Sequence, residues 1–183
     1  MPIVGVVPAV KPAAALSKSR VIGLLATPAT IKREYTGRLI TEFASDCEVV
    51  SVGSSELVQM AEDKLRGQVP DMVKLERILE PFFRHSKLDS LVLACTHFPL
   101  LIKEIESVFK RKKHPVIIVD SGSAIAKRVA TLLLNNRSSK HSNIKNGSGV
   151  MSIAFFTQQI EDQKLVKELS NHGFNEIQTL YIK

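Results

Sequence analysis

"SLVLACTHFPLLIKEIESVFKRKKHPVIIVD", residues 90–120, decides the fold. Residues 90–94 form a short apolar run of strand length. Pro99 then opens an amphipathic stretch to residue 113, a helix with proline in its first turn. Residues 115–120 form a second β-rich run. Strand, helix and strand in this order are a βαβ unit, whose two strands lie parallel. The same alternation extends outward. Residues 21–26 and 48–53 read as buried strands. Residues 30–45 read as one helix with Ile31, Tyr35, Leu39 and Phe43 on a single face. Residues 54–67 form a helix with Ser54 or Ser55 as N-cap and Gly67 as stop, and a further helix follows, bent or broken near Pro81. Residues 121–136 are helical, and 137–149 are polar, rich in glycine and serine, and read as a mobile loop. A strand at 151–157, a helix at about 159–172 and a closing strand at 177–182 complete the chain. The expected class is α/β, with a largely parallel sheet covered by helices.

The chain has 183 residues, 44% hydrophobic and 23% charged, which fits a folded protein with a substantial core. The net charge of +7 raises the question of nucleic acid. The cations are dispersed, and the dense run at residues 110–113 falls at a helix C-terminus, where positive charge suits the dipole. With aromatics at 5%, no basic and aromatic interleaving suits stacking on bases. Neither nucleic acid nor membrane is expected as a partner. The N-terminal stretch lacks a basic region ahead of its apolar residues, so no secretory signal is expected. Two cysteines, Cys47 and Cys95, make no disulfide framework, and a reducing cytoplasm is the expected compartment.

In parallel sheets ligands sit beyond the carboxyl ends of the strands. Thr27 and Cys95 each directly follow a predicted strand. A helix start and a nearby imidazole, His97, both favour a thiolate, so Cys95 suits a base or nucleophile. A small buried cysteine beside a hydrogen-bonded histidine explains the same residues. Thr27 and Thr30 either present two hydroxyls to a carboxylate or simply cap a helix. Glu62 reads, on its own, as a solvated helix carboxylate, and Cys47 as a packing residue. No ligand spacing suggests a metal. A Cys-His hydrolase would rest on Cys95 and His97 alone and leave the other motifs unused.

Taken together, four segments resemble one family. "LACTHFPLL" (93–101) resembles the second catalytic-cysteine motif of bacterial glutamate racemases. "GLLATPATIKREY" (23–35) resembles their threonine-bearing segment, "VPAVKPA" (7–13) their interdomain segment, and "VDSGSAIAKRV" (119–129) the stretch where the chain leaves the second domain. The resemblance runs through nearly the whole sequence. It implies a cofactor-independent enzyme converting L-glutamate to D-glutamate for peptidoglycan, and so for cell-wall biogenesis and cell shape. Two cysteines on opposite faces of the substrate would exchange the α-proton. Cys95 would be the second of these, acting on L-glutamate. Thr96, Thr27 and Thr30 would bind substrate, His97 would tune proton transfer, and Glu62 would orient His97.

The resemblance also implies a further N-terminal segment with an Asp-Ser near a glycine-rich turn, a Pro-Tyr-Gly and a first catalytic cysteine followed by Asn-Thr. No Pro-Tyr-Gly and no Cys-Asn-Thr occurs in this sequence, and its two Asp-Ser pairs (89–90 and 120–121) belong to other segments. The expected organisation is therefore an interdomain segment (1–7), a complete second α/β domain (8–120) and the returning part of the first domain (121–183). A chain of this kind is expected to be poorly active alone. Apolar faces such as "IAFF" and "TLLL" would lack their usual cover, which implies a homodimer or association with a chain carrying the absent part. The alternatives are a non-catalytic binding module or one half of a split racemase.

Overall fold

The computed structural model describes residues 3–137 and 152–181. Four parallel strands form the main sheet: β1 (Val21–Ala26), β2 (Glu48–Gly53), β3 (Ser90–Leu93) and β4 (Ile117–Val119), in the order β2-β1-β3-β4. All residues of β1 and β3 are buried, as suits central parallel strands covered on both faces. The outer strands β2 and β4 are partly exposed.

Side chains alternate across β1. Val21 and Leu25 join a core with α4 (Glu56–Leu65), α5 (Met72–Phe83) and α6 (Ile102–Arg111), centred on Leu57, Leu79, Phe82 and Ile105. Ile22 and Leu24 face the other way, onto α1 (Val10–Leu16) and α3 (Glu34–Phe43), where Ala13, Ala14 and Leu39 are buried. Gly23 allows a close approach within the first layer. A Cβ there would meet Leu91 Cδ1 at 2.8 Å and Phe82 Cε1 at 3.0 Å.

Several elements differ from the sequence reading. Helix α1 falls in a Pro-Ala segment to which the sequence reading assigns no element. Pro12 is its third residue, inside the first turn, where a missing N–H costs nothing. The single helix expected at 30–45 is two, α2 (Pro28–Lys32) and α3, separated by Arg33 in an extended conformation. Of the four residues expected on its buried face, only Leu39 is fully buried, and Tyr35 is exposed. The expected break near Pro81 does not occur, and α5 continues to Phe83. Only the Arg77 carbonyl loses its helical partner, and burial of Phe82 holds the last turn. Ser55 holds the N-cap position of α4 without a side-chain hydrogen bond, and the Ser54 hydroxyl accepts from the Leu57 N–H at 3.2 Å. A 3-10 turn (Phe98–Leu101) precedes α6.

Beyond the main sheet runs α7 (Gly122–Arg137). Apart from Arg137, the loop expected at 137–149 lies outside the described residues. Strands β5 (Ile153–Phe156) and β6 (Glu176–Thr179) pair in parallel as a separate two-stranded sheet, connected through α8 (Gln163–Asn171). Asp162 caps α8 by accepting from the Lys164 and Leu165 N–H groups. Leu133, Leu134 and Phe155 are exposed, whereas Ala154 is buried.

Asp89 fastens the loop after α1 to the start of β3. It accepts from the Ser17 hydroxyl at 2.6 Å and from the Lys18 and Ser19 N–H groups at 2.8 Å each. Partial burial opposes its charge, but these donors outweigh that and hold its carboxyl below the usual aspartate range. A depressed carboxyl stabilises the fold above its unfolded pKa, and that contribution fades as pH falls through the lower folded value. Asp89→Asn is expected to cost about 1–2 kcal/mol at neutral pH. In urea unfolding, the gap from wild type should stay level above about pH 5 and close below about pH 4. A gap that does not change with pH would show that the charge is immaterial.

Candidate functional site

The site is set by the register of the two most buried strands. Leu25 of β1 pairs with Leu93 of β3, and the Ala94 N–H donates to the Leu25 carbonyl at 2.8 Å. Thr27 and Cys95 therefore leave the sheet side by side, each two residues past a paired position.

Thr27 is the N-cap of α2, its hydroxyl oxygen accepting from the Thr30 N–H at 3.3 Å. The two threonine hydroxyls are 2.9 Å apart. The capping role and the shared hydroxyl face thus coexist. Across from them, residues 95–97 form a turn, with the Phe98 N–H donating to the Cys95 carbonyl at 3.2 Å. Thr27, Thr30, Cys95 and Thr96 line one cavity of about 360 Å³, with Val7, Pro8, Arg33 and Ser121 also on its wall. The Ser121 hydroxyl donates to the Val7 carbonyl at 2.6 Å, tying the start of α7 to the N-terminal segment.

His97 and Glu62 are not on the cavity wall and reach it through Cys95. The Cys95 Sγ lies 3.8 Å from His97 Nδ1, and His97 Nε2 lies 2.9 Å from Glu62 Oε1. The other carboxylate oxygen, Oε2, accepts from Arg66 Nη1 at 3.0 Å. Partial burial works against the Glu62 charge, but hydrogen bonds from His97 and Arg66 prevail and hold its carboxyl below the ordinary glutamate range. An ionised Glu62 accepts a hydrogen bond from the Nε2–H of His97, which keeps the proton on Nε2 and leaves the Nδ1 lone pair for the thiol. The array can accept the thiol proton and return it, the requirement for a cysteine acting as a base. Glu62 is thus a paired carboxylate rather than the freely solvated one its helical surroundings suggest.

Cys47 takes no part. It precedes β2, at the amino ends of the parallel strands, whereas Cys95 lies beyond their carboxyl ends. Burial pushes its thiol pKa up. Two residues at the site were missed by sequence reasoning. Arg66 carried a signal, since it stands four residues after Glu62 on one helix. Arg33 carried none, because it sits among good helix formers. Among the described residues, no three His, Cys, Asp or Glu side chains cluster as a metal site, and no helix is long and apolar enough to cross a membrane.

Residues 1–129 match the family described as Asp/Glu/Hydantoin racemase. The chain is 50% identical over 177 residues to a glutamate racemase of Shewanella halifaxensis, covering 97% of this chain and 63% of that protein. It is 53% identical over 135 residues to a glutamate racemase of Pectobacterium atrosepticum, covering 73% and 46%. Among solved structures, it is similar to Escherichia coli glutamate racemase in complex with L-glutamate and the activator UDP-MurNAc-ala. That match has a TM-score of 0.84 and 41% identity over 98% of this chain and 65% of that one. Glutamate racemase isoform RacE1 of Bacillus anthracis shares the fold, with a TM-score of 0.70 at 20% identity. The chain thus spans about 63% of the length of the Shewanella halifaxensis relative and 65% of the Escherichia coli one.

Proposed function

This chain belongs to the Asp/Glu/Hydantoin racemase family of amino-acid racemases, and from that premise we propose that it supplies the Cys95 half of a glutamate racemase site. Glutamate would enter the cavity between the Thr27–Thr30 pair and the Cys95 turn, with Thr96 beside the reacting carbon. The Cys95 thiolate takes the α-proton: the Cα–H bond breaks, an S–H bond forms, and the electron pair passes into the adjacent carboxylate. Inversion then requires a proton from the opposite face. On this reading that donor belongs to polypeptide other than residues 1–183, since Cys47 lies at the wrong end of the sheet. The product, D-glutamate, would serve peptidoglycan synthesis, which takes its precursors from the cytoplasm.

In this organisation residues 8–120 act as one racemase domain, and residues 121–183 belong with the domain that carries the opposite donor. The observation that carries the reading is the Cys95–His97–Glu62 array opening onto the same cavity as the two threonine hydroxyls. A second reading, one half of a split racemase, is favoured by the exposed Leu133, Leu134 and Phe155. It differs only in the source of the opposite wall.

The test is deuterium uptake from D2O at the α-carbon of each glutamate enantiomer. Exchange is expected into L-glutamate, mostly with retention, because the proton returns from the face it left. Glu62→Gln places an amide donor against His97 Nε2 and reverses the favoured tautomer, so the exchange rate should fall about 100-fold. No exchange above buffer in either enantiomer would overturn the reading. Exchange unaffected by Glu62→Gln would remove Glu62 from it.

A further inference from the structure

The cavity beside Cys95 contains one charged residue among those lining it, Arg33, and no acid lines it. Among the described residues, no carboxylate pairs with the Arg33 guanidinium, whereas Arg66, behind Cys95 and His97, is paired with Glu62. An arginine facing a cavity that bears no other charge suits a carboxylate ligand, which it can grip with two parallel hydrogen bonds.

The local backbone supports the same conclusion. The spacing of Ile31, Tyr35, Leu39 and Phe43 reads as one continuous helix, yet the helix is interrupted for a single residue, Arg33, with φ −69° and ψ 129°. Thr36 holds the interruption. This residue is 2% exposed, its hydroxyl donates to the Thr30 carbonyl at 2.7 Å, and its N–H donates to the Arg33 carbonyl at 2.9 Å. In an unbroken helix the Thr30 carbonyl would accept from the Glu34 N–H instead. A helical pattern interrupted at one residue, by a buried side chain fitted to the break, is the kind of departure that marks functional positions.

We propose that Arg33 is a specificity residue that binds the distal carboxylate of a dicarboxylic amino acid, and so distinguishes glutamate from its amide. The assignment rests on the racemase reading of the cavity. Cys95 and Thr96 stand together at the reacting carbon, whereas Arg33 is an exposed, long side chain following α2, six residues past Thr27. Its reach suits the end of the ligand rather than its centre.

The experiment measures protection of Cys95 from alkylation by iodoacetamide, followed by mass spectrometry, in the presence of glutamate or glutamine. It needs no turnover. Wild type should be protected by glutamate at a concentration about 10-fold or more below that of glutamine, the contribution of a charge-assisted pair. Arg33→Gln should lose that preference by weakening glutamate alone, and Arg33→Lys should keep part of it. Glutamate protection unchanged in Arg33→Gln would overturn the assignment and leave the racemase reading standing. Equal weakening of glutamate and glutamine would also overturn it, because the distal group would then not be what Arg33 reads. Protection of wild type by neither amino acid would overturn both.

Discussion

Cys95→Ser is expected to lower deuterium exchange into L-glutamate by about 10³- to 10⁴-fold. The hydroxyl keeps the shape of the thiol but is a far weaker acid, so no alkoxide forms beside His97 at neutral pH. The loss should appear in the exchange rate and not in the glutamate concentration at half-maximal rate, because the threonine hydroxyls that contact the ligand on this reading are untouched. Cys47→Ser should leave the rate unaltered, since that thiol precedes β2 at the other end of the sheet. Together the two substitutions separate thiol chemistry at the cavity from a general thiol effect. Exchange by the Cys95 variant within a few-fold of wild type would rule out Cys95 as the base.

The largest expected effect on stability is that of Phe82→Ala, a loss of about 3–5 kcal/mol. Phe82 is 0% exposed, sits in the last turn of α5 just after Pro81, and belongs to the core shared with β1 and β3. Its ring edge occupies the space left by the absent side chain of Gly23. Removing the ring opens a cavity that the close-packed layer cannot refill. Against a typical total of about 5–15 kcal/mol the loss is severe, and thermal unfolding should shift down on the order of 10 °C. Phe155→Ala is the comparison. With 53% of its surface exposed, Phe155 forfeits little burial in this chain. Similar losses at the two positions would contradict the placement of the core.

The parts of the fold legible in the sequence were those governed by burial alone. Strands β1 and β3 are covered on both faces, so nearly every residue is apolar and the runs stand out. Helix α6 has one strongly apolar stripe and was equally clear. The misreadings share a cause: a side-chain contact overrode the pattern along the chain. Thr36 reached back to the Thr30 carbonyl and broke a segment through which the apolar spacing runs without a gap. Pro81 fell close enough to a helix end that packing of Phe82 outweighed one lost hydrogen bond. At the site, the Cys95–His97 turn could be read because both residues lie within three positions. The Glu62 partnership could not, because contact across 35 residues has no local pattern. Only resemblance to a family suggested it.

The pairing of Leu25 with Leu93 has a consequence for how sequence variation would be felt. Thr27 and Cys95 owe their spacing to the two central strands, not to a loop with its own latitude. A slip of one residue between those strands would reverse every side chain of the pair, so intermediate geometries are closed off. The separation of the two walls is therefore close to an all-or-none property of the folded molecule. Genetic damage to the core should reduce the number of competent molecules while each survivor works at full rate.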